Sequence, residues 1–211
     1  VAPPRPIFHP AGCGGEYRPI ETVIVRPEQP NDIPATRQVN LTAFDTPAEA
    51  DLVDALRAEA RPLVSLVGEV DGEVVGHILL SPVSLGEHTG LHLMGLAPMA
   101  VLPSHQRRAI GSALVRAGLQ HCRQLGIGAV AVLGHPDYYP RFGFRPSTRF
   151  GISSEYDAPP EAFMVLELQA GYLAGRSGVI RFHPAFRGVC PAIATGEPAT
   201  QTSSPPFADC T

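Results

Sequence analysis

Residues 91–125 read LHLMGLAPMAVLPSHQRRAIGSALVRAGLQHCRQL, and this stretch decides how the chain folds. Leu91 to Leu102 is apolar on both alternating faces, the pattern of a central strand covered on both sides. Pro98 sits inside it and cannot donate to a ladder, so a bulge or a local splay from a neighbouring strand is expected there. A basic turn follows, Gln106-Arg107-Arg108-Ala109-Ile110-Gly111, and opens a helix. Ile110, Leu114, Ala117 and Leu125 mark the apolar side of that helix, with Ser112, Arg116, Gln120 and Arg123 on the solvated side and Gly126 as the stop. The first amides of a helix lack intrahelical partners and carry its partial positive charge, so such a turn binds phosphates. Gly111 adds close backbone access, and the arginines add charge. Taken alone, the segment reads equally well as a plain crossover with solvated arginines.

Outside this stretch, composition narrows the function classes. The chain has 211 residues, 44% hydrophobic and 17% charged, which is globular, with a net charge of −4 that argues against a nucleic-acid surface. No apolar run approaches the roughly 20 residues of a membrane span. Cys13, Cys122, Cys190 and Cys210 form no CxxC pair and read as reduced thiols of a cytoplasmic protein. The stretch Val1 to Pro10 contains four prolines and lacks the apolar segment of a secretory signal.

Three regions are expected: a Pro/Gly-rich, poorly ordered leader over 1–19, one domain over 20–188, and a low-complexity tail over 189–211. Within the domain, Thr22 to Arg26 predicts a strand ended by Pro27. Asn31, Asp32 and Pro34 start a helix reaching about Phe44, and Thr46-Pro47 starts a second. Leu63 to Val70 and Glu73 to Val83 form a hairpin about Asp71-Gly72. Further strands are predicted at Ala129 to Leu133, Phe163 to Leu168 and Gly178 to Phe182. Helices alternate with a mixed sheet, an α/β pattern.

A second element bears on chemistry. Tyr139 stands five residues before Phe144 in YPRFGF, just after the strand that should neighbour the splayed one. A hydroxyl there points a proton donor at the gap. The alternative is a packed cluster of Tyr138, Tyr139, Phe142 and Phe144.

The order of elements, the Gln106-x-x-Ala109-x-Gly111-x-Ala113 turn and YPRFGF together resemble the GNAT N-acetyltransferase superfamily, from about Ile20 to Leu168. VLGHPDYYPRFGF (132–144) and GVIRFHPAF (178–186) are most similar to its bacterial YhbS-like subgroup. The resemblance implies a mixed, mostly antiparallel central sheet of six to seven strands, helices on both faces, and a V-shaped splay between two central strands. It implies acetyl-CoA as cosubstrate and direct transfer to a primary amine in a ternary complex. Main-chain groups of Met99, Ala100 and Val101 would pair with the pantetheine arm. The turn of Gln106, Arg107, Arg108, Ala109, Ile110, Gly111, Ser112 and Ala113 would hold the diphosphate. Tyr139 takes the position of the general acid that protonates the departing thiolate.

Two departures from the family pattern stand out. Ala109 occupies a position where relatives usually carry Gly: binding survives at an ordinary helical φ and weakens at a positive one. The Asn that often precedes the tyrosine has no counterpart in the short LGHPDYY loop.

Candidates for the general base are His92, His77, His135 and Glu167, beside bulk water. The acceptor is a small-molecule or peptide amine. Asp45, Glu49, Asp51, Asp54, Glu155, Asp157 and Glu161 offer an acidic rim for a cationic one, although a solvated helix face explains the first four equally well. Rival readings are a non-catalytic acyl-CoA-binding or sensing module and another nucleotide-binding α/β domain. No nucleic acid or membrane partner is expected, and a homodimer is an open option.

Overall fold

The computed structural model describes residues 22–188; the expectations for the leader, the tail and Cys13, Cys190 and Cys210 lie outside them. Nine strands make one sheet: β1 (Ile24–Pro27), β2 (Val64–Val70), β3 (Glu73–Leu85), β4 (His88–Val101), β5 (Ala129–Leu133), β6 (Arg145–Pro146), β7 (Ile152–Ser154), β8 (Phe163–Glu167) and β9 (Gly178–Arg181). The main path runs β1-β2-β3-β4-β5-β8-β6, while β9 pairs with both β3 and β7. Only β4–β5 and β7–β9 are parallel. Among the described residues the α-helices are α1 (Ile33–Ala43), α2 (Ala48–Glu59) and α3 (Ile110–Gln124).

Local chemistry accounts for these elements. Asp71 and Gly72 both take positive φ, 50° and 84°, the two-residue turn whose twist matches the β2–β3 ribbon. The expected strand count was lower because β6 and β7 have two and three residues, too short for a period to register. Leu125 is 51% exposed rather than on the buried stripe, since the helix ends at Gln124 and Gly126 turns the chain at φ 73°.

Two glycines let α3 settle onto the sheet. A Cβ on Gly76 would stand 3.0 Å from both Ile110 and Leu114, and one on Gly118 would stand 2.9 Å from Leu80. Ile110 and Leu114 are thereby fully enclosed, each worth roughly 1.5–3 kcal/mol of apolar burial. Ile110 opens α3, so this packing also fixes where the helix N-terminus points. On the opposite face, α2 buries Leu52, Val53 and Leu56 against Leu79 of β3 and Ala97 of β4.

Candidate active site

The parallel β4–β5 ladder runs from Leu93↔Ala129 to Leu96↔Val132 and stops there, although β4 continues to Val101. On its other side β4 stays paired with β3, Met99 opposite Ile78, Ala100 opposite His77 and Val101 opposite Gly76. Between these stretches the β3–β4 register shifts by one residue beside Leu79, at Ala97-Pro98. A proline without an N–H sits where the ladder has to be interrupted, as its chemistry requires. Met99 to Val101 therefore turn toward β5 an edge that β5 does not ladder.

That edge runs directly into the turn. Arg107 and Ala109 both take left-handed φ, 60° and 63°. Ala109 is the N-cap of α3 and has no side-chain cap hydrogen bond, and the Ala113 amide makes the i→i−4 bond to the Ala109 carbonyl. The amides of Ile110, Gly111 and Ser112 precede it, the arrangement of an anion site. A cleft of about 240 Å³ opens over them.

Of the residues read from the sequence, Val101, Gln106, Arg107, Ala109, Ile110, Gly111 and Ser112 line this cleft. Gln106 Nε2 donates to the Val101 carbonyl at 3.3 Å, tying the turn back to β4. Met99 and Ala100 lie further back along the same strand and are buried, whereas Arg108 and Ala113 are not part of the cleft wall. The positive φ at Ala109 holds the loop in a glycine-like conformation with an alanine, at a cost of roughly 1–2 kcal/mol.

Tyr139 opens a 3₁₀ turn, Tyr139–Phe142, after β5 and is 7% exposed. Its ring packs against Gly134, one residue past the end of β5, and edge-on to Phe144 with centroids 5.6 Å apart. Tyr138, Tyr139, Phe142 and Phe144 pack together as the alternative reading expects, with ring centroids 5.1–6.5 Å apart, and Tyr138 lines the cleft as well, joined there by Arg141, which the sequence did not single out. The signal was weak: consecutive aromatics look alike in sequence, and the two rings even meet edge to face, centroids 5.1 Å apart, so only the local turn sends the Tyr138 hydroxyl to the cleft.

The base candidates separate. His92 and Glu167 lie at the far end of the β4–β5–β8 ladder, beside Ala129, so three to four residues of strand, about 10–13 Å, divide them from where the β4–β5 ladder stops. Glu167 Oε1 instead accepts the Leu173 amide at 2.7 Å. His77 is wholly enclosed on the α1 side of the sheet. Its Nδ1 accepts from Asn40 Nδ2 at 3.2 Å, its Nε2 donates to Ser65 Oγ at 2.9 Å, and Ser65 in turn donates to Glu28 at 2.7 Å. Burial pushes the His77 pKa down to about 4, so the ring is neutral. His135, two residues past β5, is the one of the four on the segment that carries Tyr139.

On α2 the solvated-face reading is favoured, because the acids there already have partners. Arg37 binds Asp51 at 2.7 Å and Asp54 at 2.5 Å, Arg57 binds Asp54 at 2.6 Å, and Glu49 is buried against Thr46. Burial raises the Glu49 pKa. These acids hold α2 to its neighbours; Asp157 and Glu161 remain exposed on the late loop.

A strand edge leading into amides at a helix N-terminus, beneath a central sheet wedged open on one side, defines a protein built to grip an extended phosphate-bearing molecule. Residues 33–144 match the acetyltransferase (GNAT) family. The N-acetyltransferase YjhQ of Escherichia coli (strain K12) is 40% identical over 135 residues, covering 62% of this chain and 75% of its own. The crystal structure of the E. coli GNAT family N-acetyltransferase YhbS in complex with CoA matches with a TM-score of 0.75 at 30% identity, over 82% of this chain and 96% of that one. A GNAT family acetyltransferase from Brucella melitensis in complex with acetyl-CoA gives 0.65 at 34%, over 79% and 99%. The chain belongs to the GNAT acetyltransferase family. Among the described residues no helix is long and apolar enough to cross a membrane.

Proposed function

We propose that this protein is an acetyl-CoA-dependent N-acetyltransferase acting on a primary amine by direct attack in a ternary complex. One observation carries the reading: the β4–β5 ladder ends at Leu96↔Val132 while β4 runs on to Val101 and into the amide-bearing turn. That geometry fits an acyl-CoA. Its pantetheine arm takes the open edge of Met99 to Val101 as an added strand, and its diphosphate sits in the 107–113 turn on the amides of Ile110, Gly111 and Ser112, the Ala113 amide being bonded to the Ala109 carbonyl. The CoA and acetyl-CoA complexes of the YhbS and Brucella relatives support the same cosubstrate.

The amine nitrogen attacks the thioester carbonyl, whose developing oxyanion is polarised by a backbone N–H near Val101. As the C–N bond forms and the C–S bond breaks, Tyr139 donates its proton to the departing sulfur and is reprotonated from solvent. The amine sheds its proton to water. We infer a cytoplasmic location, in keeping with an acyl-CoA cosubstrate. Release of free CoA thiol, followed across a panel of small amines, polyamines, amino acids and peptide N-termini, tests the activity. Tight CoA binding with no turnover on any amine would favour the non-catalytic binding module.

A further inference from the structure

The amide turn forms only one wall of the cleft. The other is made by Tyr138 and Arg141, from the short segment that also carries Tyr139. Tyr138 is buried as a side chain, but its hydroxyl reaches the helix N-terminus, 3.4 Å from Ser112 Oγ. Gly111 is what admits it: a Cβ there would stand 2.9 Å from that hydroxyl oxygen. Arg141 lies over the Tyr138 ring, its guanidinium carbon 4.7 Å from the centroid, and donates to the Asp137 carbonyl at 3.4 Å. No carboxylate pairs with Arg141 among the described residues, whose ion pairs all use Arg26, Arg37 or Arg57.

An unneutralised guanidinium held against an aromatic ring, a hydroxyl donor and three helix amides thus face one cleft. That donor set suits an anion with several oxygens rather than an apolar or cationic group. The rings of Tyr138 and Tyr139 meet edge to face, centroids 5.1 Å apart, with the Tyr138 hydroxyl at the helix N-terminus and the Tyr139 ring over Gly134. Resting on the acetyl-CoA reading above, we propose that Tyr138 and Arg141 form the second wall of the diphosphate site. They set affinity for the acyl-CoA and take no part in the chemistry.

The test is steady-state kinetics with acetyl-CoA, with CoA affinity by calorimetry, for Tyr138→Phe and the exposed, fold-neutral Arg141→Gln. KM and Kd rise about tenfold in Arg141→Gln and severalfold in Tyr138→Phe, with kcat within twofold of wild type. Acetyl-dephospho-CoA shows the same loss in Arg141→Gln, because the diphosphate is common to both. A loss confined to acetyl-CoA overturns the diphosphate assignment and gives the cation to the 3′-phosphate. Gly111→Ala weakens CoA binding, and adding Tyr138→Phe recovers part of the loss; strict additivity counts against the Tyr138 contact. Wild-type protein that fails to bind CoA sinks the functional reading itself. Wild-type binding with unchanged KM in both single variants sinks only the second wall.

Discussion

The Tyr139 ring occupies the space a side chain at Gly134 would need: a Cβ there would stand 2.4 Å from Tyr139 Cε2. Since Gly134 follows the last residue of β5, the tyrosine is seated on the strand end where β4 and β5 have already parted. Gly134→Ala must push the ring away. Kinetics and thermal denaturation should show kcat lowered at least about tenfold, KM for acetyl-CoA little changed, and an overpacking loss of about 1–3 kcal/mol. Full activity in this variant would detach the ring's position from catalysis.

Tyr139→Phe keeps the ring and removes the hydroxyl that carries the proton. It is expected to lower kcat by about 10²-fold while leaving CoA affinity and unfolding midpoint near wild type. Unchanged kcat would remove Tyr139 from the mechanism.

Ala109 holds a left-handed conformation, φ 63°, at the cap of α3. Glycine relieves roughly 1–2 kcal/mol of backbone strain there, partly offset by the greater freedom of the unfolded chain. Ala109→Gly should therefore raise stability by about 0.5–1 kcal/mol in urea titrations and lower KM for acetyl-CoA. A lower midpoint would show that the turn relaxes the alanine in some other way.

His77 gives the fold a pH dependence of definite sign. Its folded pKa, about 4, lies below the ordinary histidine value, so the unfolded chain takes up the proton first. Stability is complete above about pH 6.5 and falls as the pH drops toward 4, by up to roughly 3 kcal/mol. Glu28 acts in the same direction at lower pH: burial raises its pKa, but hydrogen bonds from Arg57 and Ser65 outweigh that and leave it depressed. Urea midpoints across pH 4–8 should slope in wild type and flatten in His77→Gln. Equal slopes would assign the effect elsewhere.

Asp51 and Asp54 pair with Arg37 in exposed positions, where solvent screening leaves such contacts little net effect on stability. The double variant Asp51→Asn/Asp54→Asn should lose a little stability and leave KM for amine acceptors within twofold. A tenfold rise for cationic acceptors would restore the acidic rim on α2.

Periodicity and turn chemistry were enough to determine the major strands, the three helices, the Asp71-Gly72 hairpin and the interruption at Pro98, because each depends on neighbours in the chain. The phosphate turn was legible for the same reason: Gly111, the arginines and the helix start are contiguous. Pairings between distant segments were decided only by the tertiary structure. It set β6 and β7 in the sheet, joined Arg37 to acids fourteen and seventeen residues away, and enclosed His77 among Asn40, Ser65 and Glu28. It also sent the Tyr138 hydroxyl to the helix N-terminus while seating the Tyr139 ring over Gly134, and it left Ala109 left-handed. Side-chain direction and backbone sign at such positions follow from what packs against them, and a linear pattern does not encode those neighbours.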